Sequence, residues 1–173
     1  MPNFIIAYPE ITGADFNWVQ SIRKQKDGMY DAVNPHVTLV FGTDKLSIGE
    51  LYEHTQNKLK DSKSFKVVFG SVKVVKDEFR NVFHAFLIPK DGYKEIIDLH
   101  DKLYTDQLAS ELKSDIPFIP HITIGMSPNE DEMNALAGDI NSTGKTIVGK
   151  INTVNIVQYD GTKVVDCEKV SLL

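Results

Sequence analysis

The chain predicts an α+β fold built from two similar lobes. Three observations carry that prediction. Short β-branched runs alternate with amphipathic helical stretches along the whole length. A five-residue phrase occurs twice, first as Pro35-His36-Val37-Thr38-Leu39 and again as Pro120-His121-Ile122-Thr123-Ile124. Each copy leads into a helix-start signal, and each helix is followed by hairpin-like strands.

Taken in order, Phe4 to Tyr8 reads as a short apolar strand. Thr12, with Asp15 three residues on, is the expected N-cap of a helix to about Lys26, where Phe16, Val19 and Ile22 recur on one side. Gly28 ends it, and Asp27 to Asn34 forms a polar loop into the first phrase. That strand runs from about His36 to Phe41, with Phe41 alternating onto the core side beside Leu39. Gly42 and Asp44 turn the chain. Ser47-Ile48-Gly49-Glu50 is a capping box opening a helix to about Lys60, with Leu51 and Leu59 inward.

Phe65 to Val75 and Asn81 to Ile88 read as strands joined through Lys76-Asp77-Glu78. Asp91 is the expected cap of one long helix to roughly Lys113. The second phrase follows Ser114-Asp115-Ile116-Pro117. Ser127-Pro128-Asn129-Glu130 is a second capping box, with Pro128 at the first helical position. Met133, Leu136, Ala137 and Ile140 then form one stripe. Two long strands, Lys145 to Tyr159 and Thr162 to Leu172, close the chain around the turn signal Asp160-Gly161.

Composition sets the outer bounds. The 173 residues suit one domain, or two intimately packed lobes, spanning 1–173. A net charge of −5 argues against a broad nucleic-acid footprint and leaves room for a small nucleotide or an RNA end. The single Cys167 has no partner for an internal disulfide. The start lacks a basic segment and a long apolar stretch, and no apolar run reaches a membrane span. The cytoplasm is the expected compartment, with no membrane partner and a monomer as the working unit.

The duplicated phrase carries the chemistry. In a strand, residues two apart share a face. His36 therefore projects with Thr38, and His121 with Thr123, while Val37, Leu39, Ile122 and Ile124 enter the core. Two imidazoles that titrate near neutrality can act as general base and general acid. Two hydroxyls can donate to phosphate oxygens. A single His-aliphatic-Thr strand is ordinary sheet. Two Pro-preceded copies, at positions 36 and 121 and therefore 85 residues apart, are a paired site.

These paired motifs, above all Phe118 to Gly125 and Asn34 to Phe41, resemble the 2H phosphoesterase superfamily. The nearest branch is the LigT-like group, also called 2′-5′ RNA ligase or cyclic phosphodiesterase proteins. The resemblance implies antiparallel-rich sheets flanked by helices around a central cleft, and metal-independent hydrolysis of a 2′,3′-cyclic phosphate or 2′-5′-type phosphodiester. His36 and His121 would be the catalytic pair, Thr38 and Thr123 the phosphate holders, and no cofactor is needed. The substrate would be a nucleotide carrying a cyclic phosphate, or an RNA end. A binding module that keeps this fold without turnover is the alternative. The branch often carries a basic residue just after the second motif, where this chain has Gly125-Met126-Ser127.

His84, Phe118 and Tyr30 are candidate substrate-lining residues, and Phe41, Phe83 and Phe86 are further candidates to stack a base. His54 and His100 read as structural. The histidines lack the carboxylate or thiolate company of a metal site. Gly144-Lys145-Thr146 fails the phosphate-loop pattern because position 139 is Asp. Lys58, Lys60, Lys63 and Lys66 read as a solvated helix end with a smaller chance of guiding RNA.

Overall fold

A computed structural model describes residues 1–77 and 79–173. Its strands are β1 (Asn3–Ala7), β2 (Glu10–Ile11), β3 (Val37–Thr43), β4 (Phe65–Asp77), β5 (Val82–Asp91), β6 (Ile122–Ser127), β7 (Ile147–Ile151), β8 (Thr153–Tyr159) and β9 (Val164–Ser171). Its helices are α1 (Gly13–Lys26), α2 (Ile48–Leu59), α3 (Tyr93–Leu103) and α4 (Glu130–Ser142), with a 3₁₀ turn at Asp106–Glu111.

The strands form two antiparallel sheets, ordered β3-β1-β8-β9 and β2-β7-β4-β5-β6. Each phrase leads into a strand at the edge of its own sheet, β3 in the first and β6 in the second. Each edge strand pairs with one that precedes it by a single helix: β1-α1-β3 and β5-α3-β6. The helices cross over. α1 packs against β6 of the second sheet, and α3 packs against β3 of the first. α4 covers the second sheet and α2 the first. One apolar core therefore takes residues from both halves, from Val37 and Leu39 to Ile122, Ile124 and Ile140. Removing such area from water is the main term that holds the halves together.

Several sequence expectations are corrected. Thr12 takes an extended N-cap conformation, but its side chain makes no capping bond. Asp15 instead pairs with Lys145 at 2.9 Å. Asp91 finishes β5, and Gly92 is the cap of α3, at φ 81°. A Cβ there would lie 2.8 Å from the Lys66 carbonyl oxygen, so the position favours glycine on two counts.

The long helix stops at Leu103. Tyr104 leaves helical dihedrals, the Thr105 hydroxyl donates to the Lys102 carbonyl at 2.7 Å, and a separate 3₁₀ turn follows. The break is useful to the sheet: the Tyr104 hydroxyl accepts from the Phe41 N–H at 3.0 Å, satisfying a donor on an edge strand.

Ser127 belongs to β6 and donates to Glu132, while Asn129 caps α4 by accepting from Asp131 N and Glu132 N. The Ser47–Glu50 capping box on α2 is present in both directions. The last strand pattern divides at Asn152, where the chain passes from β7 in the second sheet to β8 in the first. The β4–β5 turn forms as expected, with the Asp77 carboxylate accepting from Phe79 N and Arg80 N. Glu78 lies outside the described residues. No helix among the described residues is long and apolar enough to cross a membrane.

Candidate active site

Each histidine sits just before its strand and is held the same way. The His36 Nδ1–H donates to the Asn34 carbonyl at 2.8 Å, and the His121 Nδ1–H donates to the Ile119 carbonyl at 2.6 Å. A carbonyl only accepts, so Nδ1 carries the hydrogen and Nε2 is left for chemistry. The acceptor lies two residues back, with Pro35 or Pro120 between. The proline ring fixes φ, and with it the direction of approach to the histidine. This gives the Pro of each phrase a role the strand reading did not assign.

Each strand then carries a β-bulge at the equivalent place. Ile6 faces Thr38, but the next β1 residue, Ile5, faces Val40, leaving Leu39 extra. Phe86 faces Thr123, but the next β5 residue, Ala85, faces Gly125, leaving Ile124 extra. Leu39 and Val40 are both buried as a result, and so are Ile124 and Gly125. The bulge reverses the alternation, so Phe41 is turned outward and 53% exposed, contrary to its expected place in the core. Simple alternation cannot reveal a bulge. Gly125 was the one available signal: a Cβ there would come within 3.2 Å of Leu136 and Lys26.

The two imidazoles have different neighbours. His121 lies flat on Phe86, ring centres 3.5 Å apart at 15°. Phe86 in turn stacks with His84 at 5.6 Å and 25°. His36 stands edge-to-face with Tyr8, at 6.3 Å and 70°. Burial pushes His121 down from the ordinary imidazole value to about 4, helped by repulsion from His36 and His84. His36 is also lowered, chiefly by burial and further by the Arg23 charge, while the Asn34 bond acts in the opposite sense.

Cross-strand register extends the site. Thr123, Phe86 and Lys73 form one row across the second sheet, and Thr38, Ile6, Asn155 and Lys169 one row across the first. Adjacent strands are about 4.8 Å apart, so the exposed Lys73 lies two strands from Thr123 on the same face. Sequence reasoning passed over Lys73 because only register reveals it.

Of the remaining candidates, His84 Nε2 stands 3.3 Å from the Asp77 carboxylate, and its Nδ1 is buried without a hydrogen-bond partner. Tyr30 lines a pocket beside His36, together with Tyr8 and Asn34. Phe118 lies flat on His100 at 3.8 Å and 9°, so one of its faces is already covered. His100 and His54 are buried, the latter with Nε2 bonded to the Leu103 carbonyl at 2.8 Å. Phe83 packs against the core.

The loop into His36 is pinned by Arg23 and Asp27, paired at 2.7 Å and almost fully buried. Arg23 also donates to the Met29 carbonyl, and Asp27 accepts from Met29 N. Among the described residues, no three His, Cys, Asp or Glu side chains gather as a metal site.

Known proteins agree with this architecture. A protein of Oceanobacillus iheyensis that bears a phosphoesterase name is 26% identical over 126 residues, 72% of this chain and 71% of its own length. A Bacillus licheniformis protein with a phosphoesterase name is 28% identical over 123 residues, 69% of each chain. The crystal structure of E. coli LigT complexed with 3′-AMP superposes with a TM-score of 0.60 at 14% identity, covering 99% of this chain and 97% of that one. A crystal structure from Thermus thermophilus superposes at 0.64 with 15% identity, covering 99% and 98%. The family model described as the 2′-5′ RNA ligase superfamily matches residues 11–163. With most of its length inside that match, the chain belongs to the 2′-5′ RNA ligase superfamily, and its fold is the LigT-like one.

Proposed function

We propose that this protein hydrolyses a 2′,3′-cyclic phosphate, or a related 2′-linked phosphodiester, in a nucleotide or at an RNA end. The observation that carries the reading is the matched pair of histidines, each with Nδ1–H spent on a backbone carbonyl and Nε2 left over. His121, held neutral by burial, is the general base. Its Nε2 takes a proton from water as the water oxygen bonds to phosphorus. His36 is the general acid: the phosphate anion seated beside it favours its protonated form, and it gives that proton to the departing ribose oxygen. The Thr38 and Thr123 hydroxyls donate to the non-bridging oxygens.

Nucleotide recognition is supported by relatives of the same fold: E. coli LigT has been solved complexed with 3′-AMP, with ATP and with NADP+. The working unit is one chain, the reaction uses no metal, and the lone Cys167 suits the reducing cytoplasm. Incubating purified protein with nucleoside 2′,3′-cyclic phosphates in EDTA, and resolving products by regioisomer, tests the proposal. Ring opening that disappears in His36→Ala and in His121→Ala is the expected result. Unchanged turnover in either variant overturns it.

A further inference from the structure

We propose that the pocket beside His36 is a nucleobase pocket selecting a base that bears an exocyclic amine. This rests on the nucleotide reading above and deepens it. The pocket encloses about 200 Å³, and its walls include Tyr8, Tyr30, Asp31, Val33, Asn34 and Asp166. Ligand pockets for larger molecules usually begin at about 300 Å³, so this one suits a single flat ring.

Two of its walls adjoin His36. The Tyr8 ring stands edge-to-face with His36, and Asn34 supplies the carbonyl that holds His36 Nδ1. A nucleotide with its phosphate at His36 therefore has its base within reach of these walls.

The lining explains the selectivity. It includes two carboxylates and two phenols, and no Lys or Arg. Ionised carboxylates only accept hydrogen bonds, and they repel a second phosphate. Asp166 is anchored by the Asn155 amide, whose Nδ2 donates to it at 3.3 Å. Asn155 is itself only 8% exposed, and its Oδ1 has no partner, adding an unused acceptor behind Asp166. The two carboxylates match an amine and oppose a carbonyl, and the Tyr8 hydroxyl, a donor, is already spent on Asp166. Cytosine and uracil differ in this one group, N4–H₂ against O4, at nearly equal size.

Two ligands of equal charge test the proposal: cytidine 3′-phosphate and uridine 3′-phosphate, titrated by calorimetry and by amide NMR. Cytidine 3′-phosphate is expected to bind about tenfold more tightly, the effect of one charge-assisted hydrogen bond. Its largest shifts should fall at residues 31–34 and Val164. Asp31 is exposed, so Asp31→Asn leaves the fold intact, and its amide can donate to O4. That variant, or Asp166→Asn, should erase or reverse the preference.

Equal affinities overturn the proposal, as does a preference unchanged in both variants or a shift pattern that spares 31–34. Cyclic-phosphate turnover is read separately. Base-selective binding without turnover would sink the phosphoesterase reading and keep the pocket. Turnover without base selection would do the reverse.

Discussion

The two motif lobes share one construction and differ in what surrounds it. Proline, imidazole, threonine and bulge recur at the same spacing in both. Around His121 the second sheet supplies a stack of rings, His84 on Phe86 on His121. Around His36 the first sheet offers a polar pocket and one aromatic edge. The repeated construction thus presents two equivalent imidazoles, and the neighbouring strands make their surroundings unequal. In the proposed reaction the lobe that stacks its histidine on aromatic rings holds the base, and the lobe that opens onto a pocket holds the acid and the substrate's recognisable end.

Removing either imidazole breaks the comparison most severely. We expect His36→Ala and His121→Ala each to lower kcat by about 10² to 10⁴ on a cyclic phosphate, the usual worth of a positioned proton carrier. Proton inventory should distinguish them. A substrate with a leaving group that needs no proton should rescue His36→Ala and fail to rescue His121→Ala. Equal rescue of both would erase the assigned asymmetry.

The approach to His36 depends on a buried ion pair. Arg23→Ala should destabilise the fold by about 3–5 kcal/mol, because Asp27 is left charged and buried without its partner. Replacing both with leucine should cost much less by chemical denaturation. A cost for Arg23→Ala no larger than that of the double variant would show that the pairing is unimportant. Activity should fall in the double variant even where stability is kept, since Met29 and the loop to His36 lose their anchors.

How much of this was legible beforehand follows from what a linear pattern can encode. The duplicated Pro-His-x-Thr phrase marked four candidate site residues, because period-two alternation is local and side-chain chemistry is written in the residue type. The Ser47–Glu50 cap was legible for the same reason. The crossing of α1 and α3 to opposite sheets was not, since amphipathic stripes say that a face is buried and not against what. The first bulge was invisible because Leu39-Val40 looks like continuous strand, and so Phe41 was misplaced, while Gly125 was the one mark of the second. Phe118 and Phe86 were both offered as base-stacking rings. Each lies against a histidine, His100 and His121, a fact that depends on which strand ends meet.

The pH dependence sharpens the contrast further. His121 has a folded value of about 4, below its unfolded value near 6.5. Between these values the unfolded chain binds more protons, so stability is fully present above about pH 6.5 and is lost progressively as pH falls toward 4. The acid limb of kcat/KM should likewise lie well below 6.5. Phe86→Ala lets water reach the ring and weakens the burial that depresses it. The limb should move upward by about one unit, as should the His121 titration followed by imidazole NMR. Phe86→Trp, which restores a flat face, should bring it back. A limb that ignores both substitutions would mean that Phe86 packs against His121 without tuning it.

The smallest expected effects lie in the helices that follow each motif. α2 opens with a reciprocal box, in which the Ser47 hydroxyl accepts from Glu50 N and the Glu50 carboxylate accepts from Ser47 N. α4 opens with Asn129 alone, accepting twice through one oxygen, and its Glu132 carboxylate is shared between Ser127 and Lys26 of α1. Ser47→Ala and Asn129→Ala should each cost about 1 kcal/mol in stability, read from the denaturant midpoint, the ordinary worth of an N-cap. Their consequences for the site should differ. α2 is capped from within, so Ser47→Ala should leave turnover unchanged. Glu132 ties the start of α4 to the end of α1, just before the loop that carries His36. Asn129→Ala should therefore lower kcat modestly as well as stability. Equal turnover in the two variants would show that α1 holds that loop through Arg23 and Asp27 alone.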